Sequence, residues 1–185
     1  MNLEIGNQGK RIDGFYNLDI VTGKNVDYVA DAAKKLPFDD NSISIIYASH
    51  ILEHIPWYQV EETLREWVRV LEINGCLEIW VPDAYKICKA VVDIEEKNKV
   101  DVKDKWRKFN EEFNIYKWAA GRLFTYGDGK GKIDHPNWHR SLFTYEYLKE
   151  LFTTVGLSNI ERMNENEIRG VKHGWINLGI RGIKI

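Results

Sequence analysis

The sequence predicts an α/β fold: a mostly parallel sheet with helices on both faces and a C-terminal antiparallel hairpin. Three neighbouring segments carry this prediction. Residues 43–48 are an apolar run typical of a strand buried on both faces. Residues 57–71 repeat apolar side chains at intervals of three and four, which predicts an amphipathic helix. Residues 76–81 are a second apolar run closed by Pro82, so the segment reads as a strand–helix–strand crossover of a parallel sheet.

Three short strands are predicted before this unit, at residues 2–5, 17–21 and 28–30. The first runs into a turn that contains two glycines, and the other two end near Asp19 and Asp31. Ligands of parallel sheets bind beyond the carboxyl ends of the strands, so these polar positions are candidate site residues.

The chain after Pro82 is predicted to be mostly helical before it returns to the sheet. Residues 126–137 contain three glycines and a proline, which indicates a long loop of the kind that often carries function. We expect helices at 84–99, at 103–123 and after an N-cap at Thr144, and then an antiparallel pair of strands at 157–163 and 175–183.

Composition limits the classes of protein that the chain can belong to. The 185 residues carry 26 basic and 28 acidic side chains, a net charge of -2, so we expect neither nucleic acid nor a membrane surface as a partner. The two cysteines lack metal-ligand spacing, and no apolar run approaches the length of a membrane span. We therefore expect a single cytoplasmic domain, residues 1–185.

Five segments of the chain resemble the class I S-adenosylmethionine-dependent methyltransferases, and more narrowly the compact bacterial methyltransferase-like proteins. They read LEIGNQG, GFYNLDI, VADAAKKLPFDDNSISIIYASHILEHI, WVRVLEINGCLEIWVPD and HRSLFTYEYLKELFTTVGLSNIERM, and together they cover most of the chain outside residues 84–138. The resemblance implies a Rossmann-like fold, S-adenosyl-L-methionine as cofactor, and an enzyme that transfers its methyl group.

The resemblance also assigns residues to the cofactor. Asp19 would accept both ribose hydroxyls, and Asp31 with the amide of Ala32 would read the adenine. Two glycines would let the backbone approach the methionine end of the cofactor. The full set that we expect at the cofactor is Glu4, Gly6, Gly9, Asp19, Ile20, Asp31, Ala32, Leu36, Ser49 and His50.

A second group of residues is predicted to bind the molecule that accepts the methyl group. His139 and His54 are the candidate general bases for an acceptor hydroxyl, with residues 100–140 as a cover over that site. Asp83, Trp138 and Arg140 are the candidate substrate-binding residues. For His139 and Arg140 the alternative is that they pack against the sheet edge and stabilise the loop. The expected acceptor is a small molecule or a glycan with a sugar-linked hydroxyl, and the prediction allows a homodimer.

Two other functions stay open at this point. The opening turn carries Asn7-Gln8 where the family usually has a further glycine, and Gly6 to Asp19 is too short for a full first helix, so a non-catalytic binding module is one alternative. Residues 50–54 spell HxxEH, the zinc pattern of inverted metalloproteases. We expect no metal there because Pro56 follows directly and the motif begins at the end of a strand.

Overall fold

The computed structural model describes residues 1–6, 9, 11–100 and 102–185, and within these a seven-stranded sheet forms the centre. The strands lie in the order β3-β2-β1-β4-β5-β7-β6, and all pairings are parallel except those of β7. The predicted fold class is therefore confirmed. The strands are β1 Asn2–Ile5, β2 Phe15–Asp19, β3 Tyr28–Val29, β4 Ile43–Ser49, β5 Leu71–Pro82, β6 Leu157–Met163 and β7 Asn177–Lys184.

Four α-helices accompany the sheet in the described chain, and none is long and apolar enough to cross a bilayer. The first and last pack on one sheet face, where fully buried Leu64, Trp67 and Phe152 meet the strands. The middle two form a second apolar cluster around Ile87 and Trp118. The helices are α1 Val60–Val70, α2 Ala84–Glu95, α3 Ile115–Phe124 and α4 Tyr145–Thr154.

The start of α1 differs from the prediction. Trp57 was assigned to the apolar stripe of the helix, but the helix begins at Val60 and Trp57 is 71% exposed. Pro56 precedes a turn in which Gln59 donates its backbone N–H to the Pro56 carbonyl at 2.7 Å. The apolar spacing of the helix therefore extends by chance to Trp57, which lies in the turn before the helix.

The predicted helix at 103–123 is also shorter in the structure, because α3 begins only at Ile115. Asn114 is its N-cap, and the Asn114 side chain accepts hydrogen bonds from the backbone of Tyr116 and Lys117 at 3.0 and 3.1 Å. An asparagine side chain at this position satisfies the free amides of the first turn, so it sets the helix start. The residues before it form an irregular segment held by the ion pair of Asp104 with Arg122.

The connection between β1 and β2 contains no helix in its described residues; Asn7 and Gln8 lie outside the described part of the chain. Gly6 donates its backbone N–H to the Leu18 carbonyl at 2.8 Å, so the chain leaves the sheet directly at the edge. Ile5 pairs with both Leu18 and Ala48 in the parallel register. The ends of β1, β2 and β4 therefore meet at one edge, and the site lies there.

Candidate active site

Two adjoining cavities lie at the carboxyl edge of the sheet, with volumes of about 410 and 520 Å³. We call the smaller the aspartate cavity, because Asp19 and Asp31 line it, and the larger the histidine cavity, because His50, His54 and His139 line it. The wall between them is shared and consists of Gly6, Asp19, Ile51 and His54. The two cavities are therefore separated only by these four residues.

The aspartate cavity has a carboxylate at the end of each of two neighbouring strands. Asp19 ends β2, and its Oδ1 accepts the backbone N–H of Val21 at 3.0 Å. Asp31 follows β3, and its Oδ1 accepts the backbone N–H of Ala33 at 3.0 Å. These short turns fix Oδ1 of both carboxylates, and Oδ2 of Asp31 lies 3.7 Å from Nζ of Lys34.

Gly6 has a backbone conformation that other residues rarely adopt, with φ of 87°. A Cβ atom on this residue would lie 2.0 Å from Cδ1 of Ile51. Only glycine therefore fits at this point of the shared wall, where the backbone comes closest to both cavities.

Glu53 and three histidines form a cluster of four ionisable side chains in the histidine cavity. Glu53 is 1% exposed, and its Oε1 lies 3.0 Å from Nδ1 of His50 and 3.9 Å from Nε2 of His139. The rings of His54 and His139 meet edge to face with 4.9 Å between their centroids. We call Glu53, His50, His54 and His139 the Glu53 cluster.

Burial and charge act in opposite directions on Glu53. Burial raises the pKa of its carboxyl, but His50 and the other two imidazoles outweigh burial and hold that pKa below its ordinary value. Burial lowers the pKa of His139 to about 4, against the opposing attraction of Glu53. The cluster thus combines a buried carboxylate with an imidazole that is neutral at pH 7.

The sheet and its loops position the cluster through the backbone. His50 follows β4 with φ of 56°, and its Nε2 lies 3.0 Å from Oδ1 of Asn177 at the start of β7. The carbonyl of Glu53 accepts the backbone N–H groups of Arg140 and Ser141 at 2.8 and 3.1 Å. The segment that carries His139 is therefore joined directly to the segment that carries Glu53.

Most of the residues predicted for the site line these cavities. The structure brings together Gly6, Asp19, Ile20, Asp31 and Ala32 on the aspartate side, with Arg140 also there rather than beside the acceptor. Ser49, His50 and His139 line the histidine cavity, and His54 lines both.

Five predicted site residues line neither cavity. Glu4 is buried beside Asn17, whose Nδ2 donates to Glu4 Oε2 at 2.7 Å. Leu36, which was predicted to cover the adenine, is 2% exposed within the main core. Gly9 lies beyond the cavity wall, and its carbonyl accepts from Asn25 Nδ2 at 3.3 Å.

Asp83 and Trp138, which were predicted to contact the substrate, make structural contacts beside the histidine cavity. Asp83 is the N-cap of α2, where its Oδ1 accepts the backbone N–H of Tyr85 at 3.1 Å. Trp138 faces the surface groove beside Phe124, and its Nε1 donates to the Lys132 carbonyl at 2.9 Å. Both residues help to hold the elements that flank the histidine cavity.

The HxxEH pattern does not form the helix that an inverted metalloprotease requires. His50 has a left-handed backbone, and residues Leu52–His54 form a single 3-10 turn. The two histidines of the motif are therefore not one helical turn apart on a common face.

Sequence reasoning missed residues that only the folded loops bring to the site. Arg122 and Tyr126 line the histidine cavity from α3 and the loop after it. His173 contacts His50, with 3.9 Å between ring centroids and an angle of 41° between the ring planes. Arg122 is fixed by Asp104, with Nη2 to Oδ1 at 2.6 Å. The alternating aromatic and basic residues of 100–140 gave no local signal for these positions.

Comparison with known proteins finds a family model that matches part of the chain. The model, described as a methyltransferase domain, matches residues 12–79, which run from just before β2 into β5. The match covers less than half of the 185-residue chain, and it includes the parallel strands β2, β3 and β4. No curated protein matches the chain.

Solved structures with the same fold share little sequence with this chain. A SAM-dependent methyltransferase from Archaeoglobus fulgidus is 14% identical with a TM-score of 0.53, covering 98% of this chain and 85% of its own. The trans-methyltransferase CalH, solved with SAH, is 14% identical with a TM-score of 0.54, covering 99% of this chain and 51% of its own.

A possible histamine N-methyltransferase from Thermotoga maritima is 16% identical with a TM-score of 0.46, and it covers 93% of this chain. The present chain spans 65% of the length of that protein and 51% of CalH, less than two thirds in both cases.

Proposed function

We propose that the chain binds S-adenosylmethionine across the two cavities and transfers its methyl group to a hydroxyl. The observation that carries this proposal is that Asp19 and Asp31 line one cavity, and that its wall at Gly6 also borders a second cavity. In this arrangement Asp19 would accept the ribose hydroxyls, Asp31 the adenine amino group, and the amide of Ala32 a ring nitrogen. The family match supports the same assignment.

The methionine end of the cofactor would pass Gly6 toward Ser49 and His50. Bound S-adenosylmethionine supplies the methyl group in this reaction. The chain contributes mainly by proximity and orientation, because it fixes the nucleoside on one side of Gly6 and the acceptor on the other. The clash that any larger residue at Gly6 would make with Ile51 fits this path.

The histidine cavity would hold the acceptor. Its volume of about 520 Å³ suits a small molecule, and its wall alternates aromatic with polar side chains such as Trp106, Tyr126 and Asn137. A sugar or another polyhydroxylated compound matches such a wall. His139 and His54, which border the same space, are the side chains that we assign to the acceptor proton.

Calorimetry with S-adenosylmethionine and S-adenosylhomocysteine tests the cofactor assignment. We expect Asp19→Asn to weaken binding by about tenfold or more, because it removes charge-assisted hydrogen bonds worth roughly 1.5 kcal/mol or more. Asp39→Asn is the matched control, since Asp39 is exposed and lines neither cavity.

The outcomes separate the parts of the proposal. Wild-type protein that gives no heat at millimolar ligand would overturn the proposed function and favour a non-catalytic module. Wild-type binding that Asp19→Asn changes by less than about threefold would overturn only the ribose contact.

Transfer of a radiolabelled methyl group to a panel of sugars, nucleotide sugars and phenols tests the acceptor class. We expect a methyl ether as product. His139→Gln is expected to lower kcat by about a hundredfold or more while the affinity for S-adenosylmethionine stays unchanged. Label that appears only on amines or carboxylates would overturn the hydroxyl assignment.

A further inference from the structure

Three side chains of the Glu53 cluster are arranged as metal ligands. Glu53, His54 and His139 each present one ligand atom, and these atoms all lie within 4.8 Å of one another. They come from two separate segments that the fold brings together, the turn after β4 and the loop before α4. This is not the ligand set of the HxxEH pattern, which would use His50 and His54.

Glu53 has unused ligand capacity. Its side chain is 1% exposed, and within the described residues neither of its carboxylate oxygens accepts a well-aligned hydrogen bond. His50 approaches Oε1 to 3.0 Å but meets it outside good hydrogen-bond geometry. A buried carboxylate with unused oxygens is costly unless a cation or a donor completes it.

Both histidines are oriented from behind by the backbone. Nδ1 of His54 lies 3.2 Å from the Trp138 carbonyl, which leaves Nε2 of His54 as the free nitrogen. The backbone N–H of His139 donates to the Phe124 carbonyl at 3.2 Å, and Nε2 of its ring lies 3.9 Å from Oε1 of Glu53. The contact of His54 is common among metal-binding histidines in proteins, which hold one ring nitrogen on a carbonyl and the other on the ion.

We propose that Glu53, His54 and His139 bind one divalent transition-metal ion at the floor of the histidine cavity. Ligand atoms of such an ion lie roughly 3.3 Å apart at bond lengths of about 2.0–2.2 Å, so small side-chain rotations would close the site. Three protein ligands on one side leave the remaining coordination positions open to the cavity, where an oxygen of a bound molecule could enter.

The donor set selects the kind of ion. Two imidazoles with one carboxylate favour Zn²⁺, Fe²⁺ or Co²⁺ over Mg²⁺ and Ca²⁺, which prefer oxygen ligands alone. This inference does not rest on the proposed function, because the aspartate cavity contributes no ligand. The base role assigned above to His139 and His54 therefore applies to the metal-free chain only, because a bound ion would occupy the nitrogens that face Glu53.

Co²⁺ titration of chelator-treated, full-length protein tests the site. We expect visible absorption bands of a low-symmetry Co²⁺ complex that saturate at one ion per chain, and their displacement by Zn²⁺ but not by Mg²⁺. Equilibrium dialysis with elemental analysis supplies the affinity.

Two variants and one control give the test its specificity. Glu53→Gln and His139→Ala are each expected to weaken Co²⁺ binding by at least about tenfold, since losing groups behind the ligands already costs roughly 10–100-fold. His135→Ala is the control, because His135 lies on the same loop outside the ligand set. Circular dichroism of the metal-free variants separates a lost site from a lost fold.

Folded wild-type protein that does not bind Co²⁺ would overturn the proposal. Stoichiometric binding that both variants retain would overturn the assignment of these ligands. Calorimetry with S-adenosylmethionine on the metal-free protein is independent of either result, so failure of the proposed function remains distinguishable.

Discussion

Replacing Glu4 by glutamine is expected to change how the stability of this protein depends on pH. Glu4 is 2% exposed, and burial raises the pKa of its carboxyl from 4.5 to about 7, although Asn17 and Arg11 oppose that increase. The folded chain therefore binds a proton at Glu4 more tightly than the unfolded chain. The stability contributed by this proton is fully present below pH 4.5 and is lost as the pH rises to about 7.

The difference between the two pKa values corresponds to at most about 3 kcal/mol. Glu4→Gln removes the charge and keeps an oxygen that can accept from Nδ2 of Asn17. We therefore expect similar free energies of unfolding for wild type and variant near pH 4.5. At pH 8 the variant should be more stable by up to about 3 kcal/mol.

Urea unfolding followed by tryptophan fluorescence at several pH values between 4.5 and 8 measures this difference. The contributions of the other titrating groups to the free energy of unfolding cancel when variant and wild type are compared at the same pH. Glu62→Gln, on the exposed side of α1, is the control and should change stability by less than about 0.5 kcal/mol throughout. A difference between Glu4→Gln and wild type that stays constant from pH 4.5 to 8 would refute the reasoning.

Two further substitutions test the geometry of the cavities. Gly6→Ala is expected to lower stability by about 1–3 kcal/mol and to abolish cofactor binding, because the new methyl group would clash with Ile51. Gly9→Ala is the control: its backbone conformation has the same cost, but no atom of the other described residues lies within 4 Å of the added Cβ. Equal effects of the two variants in thermal unfolding and calorimetry would show that the clash is absent. Leu36→Ala is expected to cost about 2–5 kcal/mol in chemical denaturation with little change in cofactor affinity, and a selective loss of affinity would instead support the predicted adenine contact.

The parallel sheet was predictable because its strands carry the signal locally. The apolar run of β4 and the apolar spacing in α1 are patterns of residues that are neighbours along the chain. A continuous apolar run is enough to predict a strand buried on both faces, even when its neighbouring strands are not known. The positions of Asp19 and Asp31 followed from the rule that strand ends meet at one edge.

The surroundings of several candidate site residues could not be predicted. Asp83 follows a strand, and the course of α2 makes it the N-cap of that helix. Leu36 lies in the main core, where α1 packs against the sheet. The sequence gives the chemical type of such residues, whereas the tertiary structure decides which surfaces they contact.

The sequence by itself determined the α/β class, the strand-end aspartates and the glycine at the cavity wall, because each depends on local periodicity or on one backbone conformation. Only the tertiary structure brings His139, in the loop before α4, close to the buried Glu53 in the turn after β4. The contact joins positions more than eighty residues apart through backbone hydrogen bonds from Arg140 and Ser141 to the Glu53 carbonyl. Such a contact forms only after the sheet and the loop before α4 have packed, so nothing in the local sequence encodes it.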